Sequence, residues 1–252
     1  MTQELTIITG ASRGMGLELA LQLLQPGQQL LCISRQSSQI LEHAAKAAGV
    51  PLLQWQQDLA DGEQACLRLS TWLRDQPSSR FGQTTLINNA GVIPPIMPLS
   101  QSSAHDLAIA LRVGLEAPLL LTATFLRCTE GWSAQRRVLN ISSGLGRRAM
   151  ASQAGYCAAK AGMDHFTRCL ALDEAQKPRA ALVCSLAPGV IDTDMQVQLR
   201  GANAAAFPER DNFAALKDKG LLASPTDAAA RVLAYLARAD FGANPVADVR
   251  DV

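Results

Sequence analysis

The 252-residue chain is poor in the groups that hold metal ions. Its three histidines, His43, His105 and His165, are isolated, none has a second histidine at ligand spacing, and no C-x-x-C pair occurs, so no metal centre is expected. Most of the six cysteines (Cys32, Cys66, Cys128, Cys157, Cys169, Cys184) lie inside apolar segments and read as buried free thiols rather than a disulfide framework. Charge of one sign is also lacking: 23 Lys and Arg against 22 Asp and Glu leave a formal net charge of +1. The basic residues are scattered, which excludes the electrostatic footprint of a nucleic-acid or anionic-membrane binder and leaves small molecules or other subunits as partners. No apolar run reaches the roughly 18 residues of a membrane span. Met1 to Glu4 leads straight into a strand-like segment with no secretory leader, so a cytoplasmic protein is expected. There is no internal repeat, linker or low-complexity tract. With 48% hydrophobic and 18% charged residues, positions 1–252 suit one large α/β domain.

What is present begins with Leu5 to Thr9, a β-branched apolar run that meets Gly10-Ala11-Ser12-Arg13-Gly14-Met15-Gly16 before a helical pattern through Leu17, Ala20, Leu23 and Leu24, closed by Pro26-Gly27. Strand, glycine turn and helix in this order let the backbone approach a pyrophosphate at a helix N-terminus, which points to dinucleotide binding. A second strand, Gln29 to Arg35, ends where such a fold holds the adenosine ribose. An acidic residue there would favour NAD. Arg35 stands there instead, and with Arg13 it predicts recognition of a 2′-phosphate, hence NADP(H). The strand from Pro51 to Gln57 delivers Asp58 and Leu59, with Asp58 placed to accept from an adenine amino group, and Thr84 to Ile87 runs into Asn88-Asn89-Ala90-Gly91, suited to close approach to a cofactor. Helices are expected at 40–48, 63–73, 104–127 (interrupted at Gly114 and Pro118), 151–176 and 226–239. A fifth strand, Arg137 to Ile141, presents Ser142 and Ser143 at its end; a sixth, Ala181 to Leu186, precedes Ala187-Pro188-Gly189. Strand alternating with helix implies a parallel sheet with right-handed crossovers. Residues 192–220 break this rhythm and predict a lid over the pocket.

Tyr156 and Lys160, four apart, share one face of the 151–176 helix. The spacing also serves solvated helix faces. If the two are chemical, an ammonium about 4 Å from the phenol at an effective dielectric near 20 favours the phenolate by roughly 4 kcal/mol before desolvation, enough to pull its pKa toward working pH.

The glycine turn, the Asn88-to-Gly91 segment, Ser143 and Tyr156-x-x-x-Lys160, in this order and spacing, resemble the short-chain dehydrogenase/reductase family over essentially the full chain. The resemblance implies a single-domain, three-layer Rossmann-type α/β fold with a doubly wound parallel sheet. It implies a catalytic set of Ser143, Tyr156 and Lys160: the tyrosine as general acid or base, the lysine tuning it and binding the nicotinamide ribose, the serine holding the substrate oxygen. Ser143 is preferred over Ser142 because its 13-residue spacing to Tyr156 matches the family. The cofactor residues implied are Gly10, Ser12, Arg13, Gly14, Met15, Gly16, Arg35, Asp58, Leu59, Asn89, Ala90, Gly91, Tyr156, Lys160, Pro188, Gly189, Ile191, Thr193 and Met195. A narrower resemblance, carried by Thr9 to Gly16, Pro26-Gly27, Asp192 to Gln196, Leu216 to Gly220 and the tail around Asp248, is to sepiapterin reductases and bacterial benzil-type diketone reductases. It implies NADPH-dependent reduction of a vicinal dicarbonyl or pterin side chain, with Ser143, Gly189 and Asp248 on the substrate, Asp248 as a pterin anchor, and a homodimer or homotetramer built on the long helices. One departure is Gly114, where the family usually has an asparagine supporting a relay water; this leaves open a catalytically weak NADP(H)-sensing protein.

Overall fold

The computed structural model describes residues 3–251. Seven parallel strands lie in the order β3-β2-β1-β4-β5-β6-β7: β1 Gln3–Thr9, β2 Gln28–Ser34, β3 Leu52–Gln56, β4 Phe81–Asn88, β5 Gln135–Ile141, β6 Leu182–Ala187 and β7 Val246–Asp248. Strand order runs outward from β1 in both directions, so the crossover helices fall on both faces. The strands alternate between two cores. Ile7, Leu31, Leu86, Val138 and Val183 point into one, with Leu69 and Leu73 of α3 (Gly62–Arg74) and Leu121 and Phe125 of α5 (Ala117–Thr129). Ile8, Leu30, Ile87, Leu139 and Cys184 point into the other, with Leu19 of α1 (Gly14–Gln22), Leu41 of α2 (Gln39–Ala48) and Val232 of α9 (Pro225–Leu236). Burial on both faces is why these strands read as nearly continuous apolar runs. Each fully buried Leu or Ile contributes about 1.5–3 kcal/mol. The three-layer, doubly wound, single-domain expectation holds.

Three details differ from the sequence reading. β7 was not anticipated: it is three residues long and pairs only with β6, through Val246, Ala247 and Asp248 against Ser185, Leu186 and Ala187. The helix expected from residue 151 is α6 (Ala154–Glu174), because Ser152 takes a left-handed backbone, φ +61°, and Gln153 is the N-cap. The third concerns the interrupted helix. α4 (Ala104–Leu111) continues through a π-helical turn, Arg112–Glu116, into α5, where Pro118 sits in the first turn. The joined helix, Ala104–Thr129, has mean hydropathy 1.6 in its most apolar stretch, long and apolar enough to cross a membrane. That corrects the expectation that no segment would qualify, although 56% of the stretch is buried within the fold, as in a core helix. Residues 192–220, where a lid is expected, contain two helices, α7 (Asp194–Arg200) and α8 (Arg210–Asp218).

Candidate active site

The carboxyl ends of β1, β4, β5 and β6 deliver the glycine turn, Asn88 to Gly91, Ser143 and Pro188-Gly189 to one edge of the sheet. Gly10 and Gly14 adopt φ of +72° and +56°, a region other residues enter at a cost. At Gly16 a β-carbon would lie 2.2 Å from the Gly10 carbonyl oxygen and 2.4 Å from Asn89 Nδ2, so the start of α1 packs directly on the turn. Asn89 Nδ2 donates to the carbonyls of Thr9 (3.0 Å) and Gly10 (3.2 Å), and Thr9 Oγ1 accepts from the backbone of Asn89 and Ala90. The turn is thereby stapled to the end of β4. No side chain caps α1, which leaves its first backbone donors open to an anion. A phosphate-bearing nicotinamide dinucleotide fits this cradle.

The two arginines assigned to a 2′-phosphate behave differently. Arg13 is exposed and ion-paired with Asp194 at the start of α7, tying the glycine turn to the lid. Arg35 is exposed beyond β2 and makes no ion pair or hydrogen bond among the described residues. Asp58 is also exposed; one of its oxygens accepts from the Ala60 backbone at 2.9 Å, while Leu59 is buried. After β6, Gly189 has φ +83°, Ile191 bridges Ala223, and Thr193 Cγ2 comes within 4.0 Å of where a Gly14 β-carbon would stand. Met195 follows in the first turn of α7.

Ser143, Tyr156 and Lys160 come together as expected. The Ser143 hydroxyl lies close enough to Tyr156 to pull the phenol's pKa downward, and it accepts from the Leu145 backbone at 3.2 Å. Lys160 Nζ donates to the Ile141 carbonyl at 2.7 Å and lies 5.8 Å from the centre of the Tyr156 ring. Ser142, one residue earlier, faces elsewhere: its hydroxyl donates to Asp164 Oδ1 at 2.5 Å, and Ser185 donates to the same oxygen at 2.7 Å. Asp164 is fully buried, with Arg147 Nε 3.4 Å from its second oxygen. Lying one turn beyond Lys160, it was missed by sequence reasoning. The i+4 spacing was the one available signal.

The direction of the Tyr156 shift corrects the expectation of a lowered pKa. Burial pushes the phenol up to about 12, against a smaller pull downward from Ser143 and a further rise from Cys157. Withdrawing a phenolate from water outweighs the charge four residues away. Lys160 is itself lowered to about 8 by burial, with Asp164 opposing. At neutral pH the site therefore presents a protonated phenol beside a charged lysine, an arrangement suited to donating a proton.

Gly114 is not a gap. It is buried in the π turn, and a β-carbon there would meet the Ala159 methyl at 3.0 Å, so the glycine lets that turn press against α6 beside Lys160. Asp248 is buried in β7, and both its oxygens are held by Arg250, at 2.8 and 2.6 Å, which keeps its carboxyl below the usual range. The carboxylate expected to anchor a pterin is thus engaged by the chain's own guanidinium. A cavity of about 350 Å³ between the loop after Ser143 and α8 is lined by Met150, Val190, Phe213 and Leu216, with Arg148, Glu209 and Lys219 as its charged members. Asp192 pairs with Lys217 and, at 3.6 Å, with Arg200, which fastens the lid. Among the described residues, no three His, Cys, Asp or Glu side chains gather as a metal-holding group. All six cysteines are free; Cys32 and Cys184 are buried as expected, but Cys66, Cys128 and Cys157 are only partly buried and Cys169 is exposed.

The short chain dehydrogenase family model matches residues 4–204. Benzil reductase ((S)-benzoin forming) of Bacillus subtilis (strain 168) is 34% identical over 233 residues, covering 92% of this chain and 93% of the relative. Its counterpart from Bacillus cereus is 34% identical over 219 residues, 87% of this chain and 88% of that one. Sepiapterin reductase of Xenopus tropicalis is 33% identical over 245 residues, covering 92% and 90%. Among solved structures, a short-chain dehydrogenase/reductase from Burkholderia vietnamiensis superposes with a TM-score of 0.66 at 32% identity, over 99% of this chain and 100% of that one. The KRED1-Pglu enzyme shares the fold with a TM-score of 0.81 at 22% identity, over 96% and 99%. With the glycine cradle and the Ser143, Tyr156 and Lys160 cluster at one sheet edge, this chain belongs to the short-chain dehydrogenase family of nicotinamide-dependent oxidoreductases.

Proposed function

We propose that the protein is an NADPH-dependent carbonyl reductase acting on one ketone of a vicinal dicarbonyl. The observation that carries this is the buried, protonated Tyr156 next to Ser143 and beside a charged Lys160, at the sheet edge that also holds the glycine cradle. When bound, NADPH supplies the hydride that adds to the carbonyl carbon. Ser143 holds the carbonyl oxygen, and Tyr156 delivers its proton to that oxygen as the charge develops, so the C=O becomes CH–OH. Lys160, anchored on the Ile141 carbonyl, keeps a positive charge beside the phenol while the proton leaves. Proton transfer of this kind accounts for about 10²- to 10⁴-fold; the remainder comes from positioning donor and acceptor.

Choice of cofactor rests on Arg35, an unpaired guanidinium at the end of β2 where an acidic residue would favour NAD. Choice of substrate rests on Asp248 and the cavity. With the carboxylate engaged by Arg250 and the walls lined by Phe213, Leu216 and Met150, an aryl diketone fits better than a pterin, consistent with the benzil reductase relatives. Exposed Leu119 on α5 and Leu172 on α6 support assembly into a homodimer or homotetramer through these helices.

The test is a panel of benzil, other vicinal diketones and sepiapterin, followed by NADPH absorbance, with NADH in parallel. Benzil turnover with NADPH well above NADH is expected, and Arg35→Asp should narrow that preference at least about tenfold. Turnover of sepiapterin alone overturns the aryl-diketone reading. Tight NADPH binding with no turnover of any ketone would leave the sensing role instead.

A further inference from the structure

Gln153 is the one side chain among the described residues with two polar atoms, its amide nitrogen and its amide oxygen, buried without a hydrogen-bond partner. The residue is only 1% exposed. A carboxamide left this way has lost its water with no compensation, a condition native chains rarely tolerate without a purpose. The residue before it carries strain as well. Ser152 is the one non-glycine residue among those described with a positive φ, +61°, and its hydroxyl donates to the Ala206 carbonyl in the segment between α7 and α8. Two unfavourable features thus sit side by side at the start of the catalytic helix, where strain and function tend to coincide.

Placement says what they serve. Gln153 is the N-cap of α6; its carbonyl accepts from the Cys157 backbone at 2.8 Å, but its side chain makes no cap bond. Three residues later on the same helix is Tyr156, and positions i and i+3 share a face. The free amide therefore lies one turn before the proton-donating phenol, beneath the lid segment that Ser152 holds. We propose that Gln153 is a substrate-binding residue whose side-chain amide donates to the second, non-reacting oxygen of the vicinal dicarbonyl, while Ser143 and Tyr156 take the reacting oxygen. This rests on the carbonyl-reductase reading and deepens it. A carboxamide offers two donors and an acceptor, so it can hold a ketone oxygen in the substrate and remain paired in the hydroxy-ketone product. It would fix which of the two carbonyls meets Tyr156. A site built this way also rejects ketones without the second oxygen, because they leave the amide unpaired.

Benzil and deoxybenzoin are matched probes, since deoxybenzoin has a methylene in place of one carbonyl. In Gln153→Met, close in length but unable to donate, and in Gln153→Ala, the ratio of kcat/KM for benzil to that for deoxybenzoin should fall at least about tenfold. Thermal melting of Gln153→Met should be unchanged or higher, since a buried unpaired amide has been removed. An unchanged ratio in both variants, or equal loss on both ketones with a lowered melting temperature, overturns the inference and makes Gln153 structural. If the wild-type enzyme reduces neither ketone, the underlying reading falls and the inference with it; if it reduces both and the ratio holds in the variants, this inference alone falls.

Discussion

At the start of α2, α3, α4 and α9, the side chains of Ser38, Asp61, Ser103 and Ser224 accept a hydrogen bond from a first-turn backbone N–H. At the start of α1, α6, α7 and α8, the residues in the same position, Arg13, Gln153, Thr193 and Glu209, make no such bond. The first group closes its own helix ends and serves as scaffold. The second borders the glycine turn, the helix that carries Tyr156 and Lys160, and the 192–220 segment. A cap is worth about 1 kcal/mol, so four open ends mark where the chain gives up stability and keeps backbone donors and polar side chains available to a ligand.

The comparison breaks most visibly if an open end is closed. Arg13→Asp would supply a capping carboxylate to α1 and place negative charge where a pyrophosphate is expected to sit. The dissociation constant for NADPH, measured by fluorescence or calorimetry, should rise at least about tenfold, while the melting temperature moves by no more than a few degrees, because the exposed pair with Asp194 contributes little. Unaltered NADPH binding would separate the open end of α1 from the cofactor.

A second test uses the charge carried by α6. Lys160 titrates near 8, so it is charged below that pH and neutral above it, whereas Tyr156 stays protonated until about 12. Reductive kcat/KM should be level from pH 6 to 7.5 and then fall through pH 8, approaching about tenfold per unit. A profile that stays level to pH 9.5 would remove the Lys160 charge from the mechanism.

The smallest effect is expected at a closed end. Ser224→Ala should cost about 1 kcal/mol, a fall of about 2–4 °C in melting temperature, with turnover unchanged. A change in turnover without a change in stability would erase the distinction between the two groups of helices.

Much of this was legible in the residues. The β1 strand, glycine turn and α1 helix could be read because each uses local signals: a short β-branched apolar run, glycines needing positive φ, and a 3.6-residue apolar period. Tyr156 and Lys160 could be paired because helix spacing is local too. What failed to show depends on distant contacts. β7 is three residues long and exists only through its pairing with β6. Asp164 draws its partners from the residue after β5, from β6 and from the loop at Arg147, so apart from its i+4 spacing to Lys160 nothing near it in sequence marks it as more than a helix surface residue. The direction of the Tyr156 shift was misjudged for the same reason: spacing reveals the neighbouring charge, but burial, which dominates, is set by the whole fold. At Asp248 the engagement of both carboxylate oxygens by Arg250, two residues later, was not foreseen.

The central claim is that Tyr156 donates the proton during NADPH-dependent reduction of a vicinal diketone. Its most direct test is NADPH oxidation on benzil by the wild-type enzyme and by Tyr156→Phe, with NADPH binding measured on both. The wild type should consume NADPH and yield the hydroxy ketone, and the variant should lose at least about 10²-fold in turnover while binding NADPH nearly as tightly. Equal turnover by the two would contradict it.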